Sequence, residues 1–261
     1  MVLSDPSALP ERPSPAAYLD WLQDDAARLL AAARSAPTAD VPTCPGWTAR
    51  DVVDHTAEVY AHKVAAMRLG RRPSEGEWPW APDDDTVFGW FEQRLAELVT
   101  ELSTRDPGAR SWTWFSGDQS IGFWLRRMAH ETAIHRVDAQ LAAGRPPTPH
   151  DPRLAADGVD ELFGTFLPPH GRDLVSDTSD AGRPGTVAVE AGDRRWLLEL
   201  PDGASRLAAA GKVTDAEARV VGAASDVYRA LWNRPPDDQV VREGDAQVLA
   251  RLDARLLLAT A

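Results

Sequence analysis

A chain of 261 residues with 40 Asp+Glu against 28 Lys+Arg has a formal charge of -12, which repels phosphate backbones and anionic lipid and so excludes nucleic acid and membrane surfaces as partners. A single cysteine, Cys44, excludes an internal disulfide framework and any multi-cysteine zinc site, and fits a reducing cytosol. The length exceeds the usual domain size and implies two domains.

Asp5 and Glu11 interrupt the first residues, no apolar run there marks a secretory signal, and no stretch approaches a bilayer-spanning length. The expectation is a cytoplasmic protein. After a Pro-rich lead (residues 6–15), Tyr18, Trp21, Leu22, Ala26, Leu29, Leu30 and Ala33 recur at helical spacing and predict a first helix from Ala16 to about Ala36. Pro42 and Pro45-Gly46 break the chain. Thr48 with Asp51 three residues on reads as a capping box, opening a second helix that runs to about Leu69. A Pro-, Gly- and Trp-rich loop (70–82) leads to a third periodic segment, roughly 84–104, and a fourth runs from Ser120 to about Ala143, ended by Gly144 and RPPTPHDP. Four amphipathic helices with polar or proline-rich connections predict a four-helix bundle.

A fifth helix, roughly 152–166, fits either domain. Beyond it, TVAVEAGDRRWLLEL (186–200) reads as a β-hairpin, 217–222 as a short strand, 223–232 as a helix, 239–243 as a last strand and 244–258 as a final helix. The expected fold class is therefore α+β: a bundle over residues 1–148 and a small α+β domain over 149–261.

The informative stretch is WLRRMAHETAIHRVDAQ, 124–140. Trp124, Met128, Glu131, His135, Asp138 and Ala142 follow one another by three or four residues and share one helix face. A carboxylate and an imidazole on a bundle-facing stripe need a partner, and a cation is an efficient one. Glu131 and His135 lie one turn apart, so both side chains can converge on one ion. The second helix offers His55 or, two turns on, His62 as a third ligand. A His, a Glu and a His with an open position is the set expected of a catalytic ion, zinc first, with iron, nickel or manganese accepting the same donors. The bland alternative is a satisfied core histidine beside an unrelated E-x-x-x-H pair.

CPGWTARDVVDHTAEVYAH (44–62) and FWLRRMAHETAIHRVDAQ (123–140) resemble the mycothiol-dependent maleylpyruvate isomerase family, whose N-terminal half is a DinB-like four-helix bundle. AADGVDEL (155–162) and ARVVGAASDVYRALWNRPP (218–236) are similar to its C-terminal part, which has a sterol-carrier-protein-like fold. The resemblance implies that His55, Glu131 and His135 bind a divalent metal, usually zinc, and form the catalytic centre. It implies mycothiol as the thiol cofactor and a small electrophilic substrate, with the metal holding the thiol as a nucleophile. His130 points about 100° away from Glu131 and stays outside that set.

The resemblance also implies a substrate-holding arginine in the C-terminal domain, for which Arg219, Arg229 and Arg234 are the candidates. Trp112 and Trp114 either wall a pocket at the bundle's mouth or simply pack. Cys44 reads as a small buried side chain, with a nucleophile as the alternative. Asp138 either orients a ligand imidazole or pairs with Arg127 or another base. The expected function is a metal-dependent, mycothiol-dependent S-transferase or isomerase, monomeric or homodimeric. The competing readings are a non-catalytic metal- or ligand-binding protein and a hydrolase using metal-bound water, with Asp138, Glu58 or His62 as its base.

Overall fold

The structure is a computed structural model that describes residues 12–82, 86–167, 182–208, 215–234 and 239–260. The start of the Pro-rich lead and residues 84–85, given above to the third helix, lie outside the described residues. Ser14 caps α1 (Pro15–Ser35) by accepting a hydrogen bond from the Ala17 amide at 3.2 Å, and Pro15 supplies a preset φ at the first helical position. The Thr48–Asp51 capping box opens α2 (Ala49–Leu69), which Gly70 closes in the left-handed conformation. Next come α3 (Val87–Thr104) and α4 (Ile121–Ala142), the latter capped by Ser120. These four helices pack around one apolar core that includes Leu22, Leu29, Val53, Tyr60, Phe91, Leu98, Trp124 and Met128.

After them, α5 (Pro152–Glu161) runs on into one turn of π-helix, Leu162–Phe166. A five-stranded mixed sheet follows, ordered β3-β2-β1-β4-β5. β1 (Gly185–Ala191) and β2 (Arg194–Leu200) form the expected hairpin, and Gly192 provides its positive φ of 64°. β3 (Arg206–Leu207) extends β2, β4 (Ala218–Gly222) pairs parallel to β1, and β5 (Val241–Gly244) closes the edge antiparallel to β4. Helices α6 (Ala224–Leu231) and α7 (Ala246–Thr260) cover the sheet. α5 and its π turn bury Ala155, Val159, Leu162, Phe163 and Phe166 in this second core.

Helix α4 departs from the expectation of a single inward stripe. Nearly every residue from Ile121 to Gln140 is buried, because the bundle covers one side and the C-terminal body the other. Ile134 accordingly packs in the second core while Met128 packs in the first. The charged groups this buries find partners across the seam. Asp157 of α5 accepts from Tyr18 at 2.8 Å, from Arg126 at 2.9 Å and from His130 at 2.8 Å, and Tyr228 of α6 meets His130 Nδ1 at 3.1 Å. His130 is thus a structural side chain facing away from Glu131. Among the described residues no helix is long and apolar enough to cross a membrane.

Candidate metal centre

The capping box sets the phase of α2, so that its second turn delivers His55 toward α4, where Glu131 and His135 stand one turn apart. One Glu131 oxygen, Oε1, lies 3.4 Å from His55 Nε2 and 3.4 Å from His135 Nε2. One donor atom from each of the three residues falls within 4.8 Å of the others. The second Glu131 oxygen accepts from Arg127 Nη2 at 3.1 Å, which fixes the carboxylate and leaves Oε1 facing the two imidazoles. Trp47, from the turn before α2, packs on both rings, its ring centre 4.9 Å from that of His55 and 6.2 Å from that of His135. His62, the alternative third donor, instead meets Trp78 at 4.8 Å and Lys63 Nζ at 3.1 Å.

Behind His135 stands Asp138. Its buried carboxylate accepts from His135 Nδ1 at 2.9 Å, so Nε2 is the nitrogen left to point at Glu131. It also accepts from Thr43 Oγ1 at 2.6 Å and, bidentately, from Arg234 Nε at 2.9 Å and Nη2 at 2.7 Å. Asp138 therefore combines what the sequence left as alternatives: it orients the imidazole and pairs with a base, which is Arg234 rather than Arg127. Burial works against charge on His135, but the bonds to Asp138 and Glu131 outweigh it and raise the imidazole to about 9. For Asp138 itself, burial is overcome by His135 and Arg234, and its carboxyl is held well below the usual range. Cys44 sits between these groups, 3.8 Å from Asp138 and 3.7 Å from Arg234, and burial followed by the Asp138 charge pushes its thiol up. A raised thiol pKa makes it a poor nucleophile.

The three donor residues open on a cavity of about 590 Å³ between the bundle and the C-terminal body. Trp114 lines it; Trp112 instead packs on the bundle core and accepts the Trp124 indole N–H at its carbonyl. Of the three candidate arginines, Arg234 alone reaches the cavity. Arg229 pairs with Asp226 on its own helix, and Arg219 lies on the sheet with Glu190 and Glu243. Three further lining residues were not expected at the site from sequence. Arg127 pairs with Glu161 as well as Glu131, Phe166 is placed by the π turn, and Trp232 by the end of α6.

The family model described as "Mycothiol maleylpyruvate isomerase N-terminal domain" matches residues 22–140. Over that span, a little under half of the chain, the bundle is similar to a mycothiol maleylpyruvate isomerase N-terminal domain. That family match spans His55, Glu131 and His135, together with the capping box and Asp138. Two solved structures share the architecture over nearly the full length. A crystal structure of the mycothiol-dependent maleylpyruvate isomerase gives a TM-score of 0.56 at 15% identity, covering 90% of this chain and 95% of that one. A crystal structure of a variant of that enzyme, with one histidine replaced by alanine, gives 0.55 at 15% identity over the same shares. At that identity the likeness is one of fold, and it extends the match beyond the isomerase N-terminal domain into the mixed-sheet body. No curated protein matches the sequence.

Proposed function

We propose that the protein is a mycothiol-dependent enzyme of the isomerase or S-transferase type, in which a divalent metal held by His55, Glu131 and His135 activates the cofactor thiol toward an electrophilic small molecule. The observation that carries this reading is the convergence of two imidazole Nε2 atoms on one Glu131 oxygen at 3.4 Å each, inside a cavity large enough for organic ligands. The donor chemistry fits a borderline cation such as zinc, with nickel, iron and manganese as alternatives. Mycothiol as the cofactor is supported by the N-terminal family and by the fold shared with the mycothiol-dependent isomerase.

A bound divalent cation supplies Lewis acidity that lowers the pKa of a coordinated thiol. The chain's own residues prepare the place for it. Arg127 holds Glu131 from one side, while Asp138, itself clamped by Arg234, holds the tautomer and direction of His135. Trp47, Trp114, Phe166 and Trp232 surround the centre with apolar surface and limit the water that competes with a nucleophile. The hydrolase reading needs a general base on the wall. Asp138 is spent on Thr43, Cys44, His135 and Arg234, Glu58 accepts from the Ala81 amide, His62 turns to Trp78, and none of the three candidate bases lines the cavity.

The test is elemental analysis of the purified protein followed by turnover with mycothiol and a panel of electrophiles. Bound metal and thiol consumption or isomerisation are expected, with both lost in Glu131→Ala. Turnover that survives Glu131→Ala overturns the reading, and metal binding with no turnover favours a binding protein instead.

A further inference from the structure

Away from its three donor residues, the cavity is walled by aromatic rings. Trp114 meets Phe166 edge-on with 5.2 Å between ring centres, and Phe166 meets Trp232 in the same way at 5.2 Å. Val59, Met128, Ile134 and Ala259 complete an apolar lining. Such a surface offers flat ligands edge and face contacts with little ordering of flexible side chains.

The cations on the same wall are already committed. Arg127 is almost wholly buried, pairs with both Glu161 and Glu131, and lies over Phe166 at 5.1 Å and Trp232 at 5.3 Å. Arg234 presents its fork to Asp138, and its Nη1 donates to the Trp232 carbonyl at 2.9 Å. A ligand carboxylate that recruited either guanidinium would strand a buried Glu161 or Asp138 charge, which is the expensive way to break a buried pair. Lys63, the third Lys or Arg of the wall among the described residues, lies over Trp124 at 5.4 Å and reaches the His62 ring. Among the described residues, nothing in this arrangement offers two forks to two carboxylates.

We propose that the cavity selects a flat aromatic co-substrate bearing at most one negative charge, in preference to an open-chain dicarboxylate. The inference rests on the thiol-addition reading for its chemistry, whereas the binding preference follows from the wall. With an aryl halide as the aromatic electrophile, a carbon–sulfur bond to the thiol replaces the carbon–halogen bond, and halide departs with the thiol proton.

Binding is tested by calorimetric titration of the full chain, metal-free and zinc-loaded, with 2-naphthoate and with maleate. Both probes carry a carboxylate, so the comparison sets a fused ring system against a second charge. At least about ten-fold tighter binding of 2-naphthoate is expected in both states, corresponding to about 1.4 kcal/mol. Phe166→Leu, which keeps the apolar character and removes the ring, and Ala259→Trp, which fills the cavity, should each weaken 2-naphthoate by a similar factor, with cooperative unfolding confirming that each variant is folded. Maleate binding as tightly as 2-naphthoate, or 2-naphthoate binding unmoved in both variants, overturns the proposal. Turnover is scored separately as chloride release from 1-chloro-2,4-dinitrobenzene with mycothiol and zinc. Tight, wall-dependent 2-naphthoate binding without chloride release upholds the aromatic preference and counts against thiol addition.

Discussion

Asp138→Asn removes one charge and almost no volume, so its effects separate cleanly into stability and site chemistry. The wild-type carboxylate is fully buried and neutralises Arg234 through two bonds of 2.9 and 2.7 Å. Leaving that guanidinium without a counter-ion in the interior costs about 3–5 kcal/mol. The same carboxylate accepts from His135 Nδ1, and loss of such a partner behind a ligand imidazole lowers metal affinity by about 10–100-fold. Urea unfolding of the metal-free protein reads the first quantity, and competition with a chromophoric zinc chelator reads the second. Adding Arg234→Met to Asp138→Asn removes the stranded charge and should restore most of the stability without restoring zinc affinity. Zinc affinity unchanged in Asp138→Asn would refute the role assigned to Asp138, and a stability loss that persists in the double variant would refute the ion pair as its cause.

In the metal-free protein His135 is raised to about 9 from an ordinary 6.5, so its contribution to stability is complete below about pH 6.5 and disappears as pH rises through about 9. At about 1.36 kcal/mol per pH unit the loss is about 3 kcal/mol, measurable as a falling urea midpoint across that window, and zinc should flatten the profile by taking the place of the proton. His62→Ala should leave zinc affinity unchanged in the same chelator competition, because the ring lies against Trp78 and away from Glu131. Gly158→Ala improves helix propensity by about 1 kcal/mol, yet a Cβ there meets Tyr228 Cε2 at 2.2 Å. The buried ring has nowhere to go, and a net loss of about 1–3 kcal/mol is expected in thermal or urea unfolding.

What the sequence disclosed was whatever local periodicity and punctuation encode. Helices α1 to α4, the hairpin around Ala191–Asp193 and the Thr48 capping box all follow from spacing and turn chemistry within a few residues. The same spacing put Glu131, His135 and Asp138 on one face, and left His55 and His62 as alternatives that packing against Trp78 decides. Longer-range facts had no such signal. Asp138 and Arg234 are 96 positions apart in sequence, and no pattern marks Arg234 over Arg219 or Arg229 as the one that reaches the bundle. The burial of α4 on both sides was hidden because its second face is polar, with Arg126 and His130 both held by Asp157 of α5. The π turn that directs Phe166 into the cavity departs from helical periodicity, and the two-residue β3 is too short to show any.

The division of labour in the site follows from where its parts are carried. All three donor residues stand on α2 and α4, inside the segment that the N-terminal family model matches. Much of the aromatic wall comes from later segments: Phe166 from the π turn after α5, Trp232 from the end of α6, with Ala259 from α7 beside them. Substitutions in these later segments can therefore change which ligand fits while the donors stay where they are, as long as the second core still packs. Arg234 is the exception, because it lines the cavity and also grips Asp138, which sets the direction of His135. A change at Arg234 alters the wall and the donor geometry together, which makes it a position where the C-terminal body acts on the candidate metal centre itself, as Glu161 does through Arg127 and Glu131.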